Sequence, residues 1–125
     1  MKFFQLRPNT SPKIYGYTEP SKEYAGLIKV GYTERDVLTR MKEHYPTSGP
    51  EGIERFEVLF EESSMRDDGT FFKDYEVHRL LEKSGIKRTG KKKEWFKCSI
   101  NELKAAVIAA KERQSLEIDR VFDFS

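Results

Sequence analysis

The sequence predicts a small α+β domain, in which a sheet of three to four strands is flanked by helices. Short segments with apolar residues at alternate positions indicate strands, and longer segments with apolar residues three or four apart indicate helices. Residues that favour turns separate these segments, and their order is β-β-α-β-α-β-α. A chain of 125 residues has the size of one ordinary domain.

The first half of the chain predicts a β-hairpin followed by a helix. The two strands span residues 14–18 and 27–32, with a polar connection between them. Thr33 and Asp36 have the spacing of a capping box, which predicts a helix that opens there and runs to about Tyr45. The loop at 46–52 is rich in proline and glycine.

The second half predicts two further strands and two further helices. They are a strand at 56–60, a helix at about 71–83, a strand at 94–98 and a helix from 100 to about 113. Gly85 is placed to end the first of these helices, and Ser99 with Glu102 forms a capping box for the second.

Domain boundaries follow from these elements. Residues 1–12 predict an N-terminal arm and residues 13–115 the domain itself. Residues 116–125 predict a connector, which either leads to a further domain or packs back on this one.

Composition limits the location more than the partners. Hydrophobic residues make up 37% of the chain, charged residues 35%, and the formal net charge is only +2, so bulk charge does not identify a partner. No apolar run approaches the roughly 20 residues of a membrane span. Cys98 is the only cysteine, which suits a reducing compartment. We therefore expect a cytoplasmic domain without a membrane anchor.

Tyrosine and lysine meet in the predicted hairpin. Tyr15 and Tyr17 lie on one face of the first strand, and Lys29 lies where the hairpin can bring it beside them. We expect this face to be open to solvent. On the first helix Arg40 and His44 are four residues apart and point the same way, as do Asp74 and His78 on the second.

These residue types suit phosphodiester hydrolysis, which needs a base, cations for the phosphate charge and, commonly, a metal. The forked donors of Arg40 match two phosphate oxygens. Tyrosine acts as a base only if neighbouring cations or a metal lower its pKa from about 10, and Lys29 and Arg40 are the cations placed to do so. A single carboxylate is a sufficient anchor for Mg²⁺ that keeps its waters.

The segments together resemble a GIY-YIG nuclease domain of the T5orf172/MUG113-like branch. The resemblance covers roughly residues 13–98. It lies in five motifs that occur in the family's order: 13–15 (KIY), 29–33 (KVGYT), Arg40 with His44, 74–78 (DYEVH) and 94–96 (EWF).

The resemblance implies a metal-dependent DNA endonuclease. Tyr15 would be the general base or orient the attacking water, with Lys29 assisting, and Arg40 and His44 would contact the scissile phosphate. Asp74, or alternatively Glu76, would hold one Mg²⁺ or Mn²⁺ ion. The other residues that the resemblance brings near the site are Tyr17, Tyr32, His78 and Glu94. His78 is either such a neighbour of the metal site or a buried, hydrogen-bonded side chain.

A basic loop at 85–93 is the predicted DNA contact, although a solvated charged loop explains it equally well. Its cationic residues are Lys87, Arg88, Lys91, Lys92 and Lys93. The expected partner is DNA, and similar multidomain proteins imply an attached helicase-like domain in the full protein. The alternative function is a nucleic-acid-binding or interaction module of the same fold that does not hydrolyse its ligand.

Overall fold

A computed structural model describes residues 11–19, 21–44, 56–89 and 94–112 of the chain, with the backbone alone described at His44. The elements are β1 (Lys13–Thr18), β2 (Ile28–Thr33), α1 (Val37–His44), β3 (Glu57–Ser63), α2 (Asp74–Lys83), β4 (Arg88–Thr89), β5 (Trp95–Phe96) and α3 (Ile100–Lys111). A short 3₁₀ turn, Lys22–Tyr24, lies between β1 and β2.

The strands form one antiparallel sheet in the order β3-β1-β2-β5-β4. The predicted α+β class and the order of its elements are confirmed. The sheet has one strand more than the three to four expected, because Arg88 and Thr89 pair with β5 from within the predicted basic loop. Two residues are too few for an alternating pattern to show in the sequence.

The sheet has a buried layer on each face. On one face Ile14 and Val30 pack with Phe96 and with side chains of α2 and α3, among them Val77 and Leu103. The opposite face carries a second cluster that includes α1; its buried members are Tyr15, Tyr17, Val37, Met41, Phe56 and Trp95. The two central strands are therefore covered on both sides.

The expected solvent-facing position of the tyrosine face is wrong. Tyr15 and Tyr17 do share a face with Lys29, as predicted, but their exposed fractions are 1%, 0% and 3%. Aromatic rings carry a large apolar area and the aliphatic stem of a lysine packs along apolar surface, so α1 packs over them.

The helix ends are explained by local hydrogen bonds. The predicted capping box of α3 is confirmed, because Ser99 Oγ accepts from the Glu102 N–H at 3.1 Å and Glu102 Oε1 accepts from the Ser99 N–H at 2.8 Å. At α1 the side chain that accepts from the first turn is Asp36, whose Oδ2 lies 3.1 Å from the Thr39 nitrogen. Thr33 instead accepts from the Arg35 N–H, so its assignment as the cap is wrong.

The second predicted helix begins three residues later than expected, at Asp74. Phe71 lies before it and makes an isolated bridge with Met65. Gly85 ends α2 with a φ of +87°, a conformation that glycine adopts without strain.

Several expectations fall outside the described residues. They concern the arm before residue 11, the loop at 46–52 and the connector at 116–125. Among the helices of the described ranges, none has the length and apolarity to cross a membrane.

Candidate functional site

Tyr15 lies across the backbone of the neighbouring strand. In the register of β1 and β2 it pairs with Gly31. A methyl group built on Gly31 would overlap the hydroxyl and the ring carbons of Tyr15. Glycine at this position therefore provides the space in which the Tyr15 ring lies.

Lys29 is buried beside the two tyrosines. Its Nζ lies 5.6 Å from the ring centroids of both Tyr15 and Tyr17 and 3.2 Å from Oε1 of Glu94. Burial lowers the pKa of Lys29, and the carboxylate of Glu94 opposes that effect. The structure thus brings together two predicted site residues, Lys29 and Glu94, whose pairing the sequence does not reveal.

Arg40 on α1 lies close enough to the Tyr15 hydroxyl to lower its pKa. Its Nη1 also lies 3.5 Å from Glu43 Oε1, one turn along the helix. Burial nevertheless raises the pKa of Tyr15 to about 12, because loss of hydration outweighs the lowering effect of Arg40. The expectation that neighbouring cations bring the pKa of Tyr15 below 10 is therefore wrong for the protein without a bound metal.

Asp74 lies at the start of α2, and its negative charge acts on both Tyr15 and Lys29. Its Oδ2 lies 3.9 Å from Nε2 of His78, one turn along the helix. The Asp74 side chain is 26% exposed, so solvent reaches the carboxylate.

His78 joins α2 to the edge of β2. Strand β5 pairs with β2 only at Ile28 and Lys29, and His78 Nε2 approaches the Val30 carbonyl oxygen at 2.8 Å. On its other side, Arg88 Nη2 lies 3.3 Å from His78 Nδ1. An Nε2–H that donates and an Nδ1 that accepts define the neutral tautomer. Burial lowers the pKa of His78, which favours that neutral form.

Glu76, the alternative metal ligand, belongs to a different cluster. Its Oε1 lies 3.2 Å from Nη2 of Arg66, and its side chain is only 7% exposed. Arg66 also donates from Nε to the Ala110 carbonyl at the end of α3. Glu76 thus helps to join the loop before α2 to α3, and its charge is compensated there.

The two other tyrosines predicted to lie near the site, Tyr17 and Tyr32, pack against neighbouring side chains. Tyr17 stacks on Tyr15 at 5.8 Å between centroids and meets Trp95 edge to face. Tyr32 donates its hydroxyl to Glu34 Oε2 at 3.0 Å and stacks on Phe71. Burial and the Glu34 carboxylate both raise the pKa of Tyr32.

The two described cations of the basic loop, Lys87 and Arg88, differ in exposure and in contacts. Lys87 is exposed, whereas Arg88 pairs with Glu82 at 3.2 Å, and its guanidinium lies over the Phe96 ring at 5.2 Å. Sequence reasoning missed this role of Arg88, since only the reversal of the chain after Gly85 brings it back to α2. The other three lysines of the loop, at 91–93, and the His44 side chain lie outside the described residues.

Asp74 has the environment expected of a ligand for one Mg²⁺ or Mn²⁺ ion that retains most of its waters. In the described ranges no arginine or lysine lies within ion-pair distance of the Asp74 oxygens, and the histidine beside them, His78, is neutral. The same ranges hold no group of three or more His, Cys, Asp or Glu side chains arranged to bind a metal. A carboxylate that solvent reaches can anchor a hard cation that keeps most of its waters, and Asp74 fits that requirement.

The T5orf172 domain matches residues 13–111, a range that contains every described element of the sheet and all three helices. The comparisons with curated proteins and with solved structures return no match. T5orf172 domains are associated with GIY-YIG-like nuclease domains. The chain belongs to the T5orf172 domain family.

Proposed function

We propose that this domain hydrolyses phosphodiester bonds of DNA with the help of one divalent cation. One observation carries the proposal: the charges of the Arg40 guanidinium and the Asp74 carboxylate both act on the Tyr15 hydroxyl, although three separate elements supply the three groups. Convergent polar groups of this kind, in a water-poor setting, mark a site for charge stabilisation.

The cation-binding group in this proposal is Asp74. A bound Mg²⁺ or Mn²⁺ would polarise a phosphate oxygen and lower the pKa of a bound water. Arg40 is half-buried near Tyr15, and its forked donors suit two phosphate oxygens. His44 is proposed to contact the same phosphate, since it follows Arg40 by one helical turn.

Tyr15 is proposed to act as a protonated hydroxyl that orients the attacking water. A pKa of about 12 leaves the hydroxyl neutral at physiological pH. Only 1% of Tyr15 is exposed, so a phosphate reaches its hydroxyl only after neighbouring side chains move. Lys29 lies beside the Tyr15 ring and is paired with Glu94, so the pair adds little net charge there.

The test is nicking of supercoiled DNA in Mg²⁺ or Mn²⁺ by the parent and by Tyr15→Phe, Arg40→Gln and Asp74→Asn. Tyr15→Phe and Asp74→Asn keep the size of the side chain, and Arg40→Gln removes the guanidinium charge; each is expected to lower the rate by about a hundredfold or more. Matched controls are Arg35→Gln, which also removes an arginine that pairs with Glu43, and Asp67→Asn at an exposed carboxylate. The controls are expected to retain the parent rate; variants of Tyr15, Arg40 and Asp74 that cleave like the parent would overturn the proposal.

The second candidate is a nucleic-acid-binding module that does not hydrolyse its ligand. The enclosed, protonated Tyr15 and the neutralised Lys29–Glu94 pair favour it. Parent protein that binds DNA but leaves it intact in both metals would select this candidate.

A further inference from the structure

One side of α2 carries three exposed residues at regular spacing. Tyr75, Arg79 and Lys83 follow one another at intervals of four residues, so they form one stripe along the helix. Tyr75 is 60% exposed, which is unusual for an aromatic side chain. The stripe is defined here as these three residues.

The stripe has no partners within the described part of the chain. None of its three side chains takes part in a hydrogen bond, ion pair or ring contact there. Two acidic residues that neighbour it on the helix are already paired, Glu82 with Arg88 and Glu76 with Arg66, each at 3.2 Å. The stripe therefore presents two uncompensated positive charges and one aromatic face to solvent.

The position of the stripe connects it to the proposed site. Asp74 and His78 occupy the adjoining side of the same helix, and Tyr75 directly follows Asp74. From Tyr75 to Lys83 the helix rises about 12 Å. That length matches three to four steps of a nucleic-acid strand at about 3.4 Å each.

We propose that the stripe of α2 binds the DNA strand that leads into the site, with Arg79 and Lys83 on phosphates and Tyr75 against a base or sugar. This inference rests on the proposed function, since it supplies the surface that holds the substrate of that reaction. Charge complementarity and the run from Asp74 along α2 select DNA as the occupant. Aromatic stacking beside a positive track is a common way to hold a strand without reading its sequence.

The test is fluorescence anisotropy with fluorescein-labelled single-stranded and duplex DNA, in EDTA so that no cleavage occurs. For Arg79→Gln with Lys83→Gln we expect affinity to fall about tenfold or more at low salt. The slope of log K against log[salt] should fall by about 1.8 on duplex or about 1.4 on a single strand. Tyr75→Ala is expected to weaken single-strand binding by at least about fivefold. Lys104→Gln, at an exposed lysine on α3, is the matched control and should bind like the parent.

All of these positions are exposed, and thermal unfolding followed by circular dichroism verifies that the variants fold. Parent-like affinity and salt slope in the double variant would overturn the proposal, as would a parent protein that binds no DNA. Tighter binding of an equivalent RNA, lost in the same variants, would assign the stripe to RNA instead. Loss of binding in these variants together with no cleavage by the parent would reject hydrolysis but support the stripe.

Discussion

Substitution of Gly31 by alanine tests the placement of Tyr15 directly. The added methyl group would occupy the position of the Tyr15 hydroxyl and ring edge, so the ring must turn away from β2. Tyr15 is 1% exposed and stacked on Tyr17, which leaves no adjacent space. Overpacking of this kind costs about 1–3 kcal/mol in the free energy of unfolding. For a domain of this size that is a fall in melting temperature of about 4–12 °C.

Gly16→Ala is the matched control, because it lies on β1 beside Tyr15 but faces the opposite layer. Its methyl group would come within 2.8 Å of Leu103 Cδ2 and 3.1 Å of Ile28 Cγ2, so it also destabilises the fold. The assays are thermal unfolding and, below both melting temperatures, nicking of supercoiled DNA. We expect both variants to lose stability and Gly31→Ala alone to lose cleavage by the folded protein. Gly31→Ala with parent stability and rate would refute the placement of Tyr15.

Three further predictions follow from buried ionisable groups. The pKa of Tyr15 is about 12 in the folded protein and about 10 in the unfolded chain, so the free energy of unfolding should fall by about 2–3 kcal/mol as pH rises from 10 to 12. Urea titrations at several pH values measure this loss, and Tyr15→Phe should reduce it. Glu94→Gln leaves Lys29 buried without its partner and should destabilise the domain more than Lys29→Met, measured by thermal unfolding; the reverse order would contradict the pairing. Burial raises the pKa of Cys98 from 9.0 to about 11, so alkylation of its thiol at pH 8 should be about a hundredfold slower than that of a free thiol. Alkylation as fast as that of a free thiol would contradict this burial.

The sequence predicts the order of the elements because each long strand and helix carries its own local pattern. The capping box of α3 and the turn at Gly85 are local as well, and both are confirmed. The solvent exposure of Lys29 is mispredicted for a non-local reason: its charge is compensated by Glu94, far along the chain. Local pattern cannot reveal such pairs, since only the order of strands in the sheet brings them together.

The candidate site, too, can be predicted from the sequence only in part. The sharing of a face by Tyr15, Tyr17 and Lys29 follows from strand alternation. The choice between Asp74 and Glu76 does not follow from spacing, because two residues along a helix already point to different sides. The structure distinguishes them by their partners, a neutral histidine for Asp74 and an arginine for Glu76.

Coverage of both faces of the central strands determines how reactants enter. Most sheets that support a site offer it one open face, but here β1 and β2 are enclosed between two helical layers. In the proposed reaction, water and phosphate would therefore have to reach Tyr15 from the side on which Arg40 and Asp74 act on it. Larger side chains beside Arg40 and Asp74 should then exclude bulky substrates while small phosphodiesters still enter. The width of this approach would set the size of the substrates that the domain accepts.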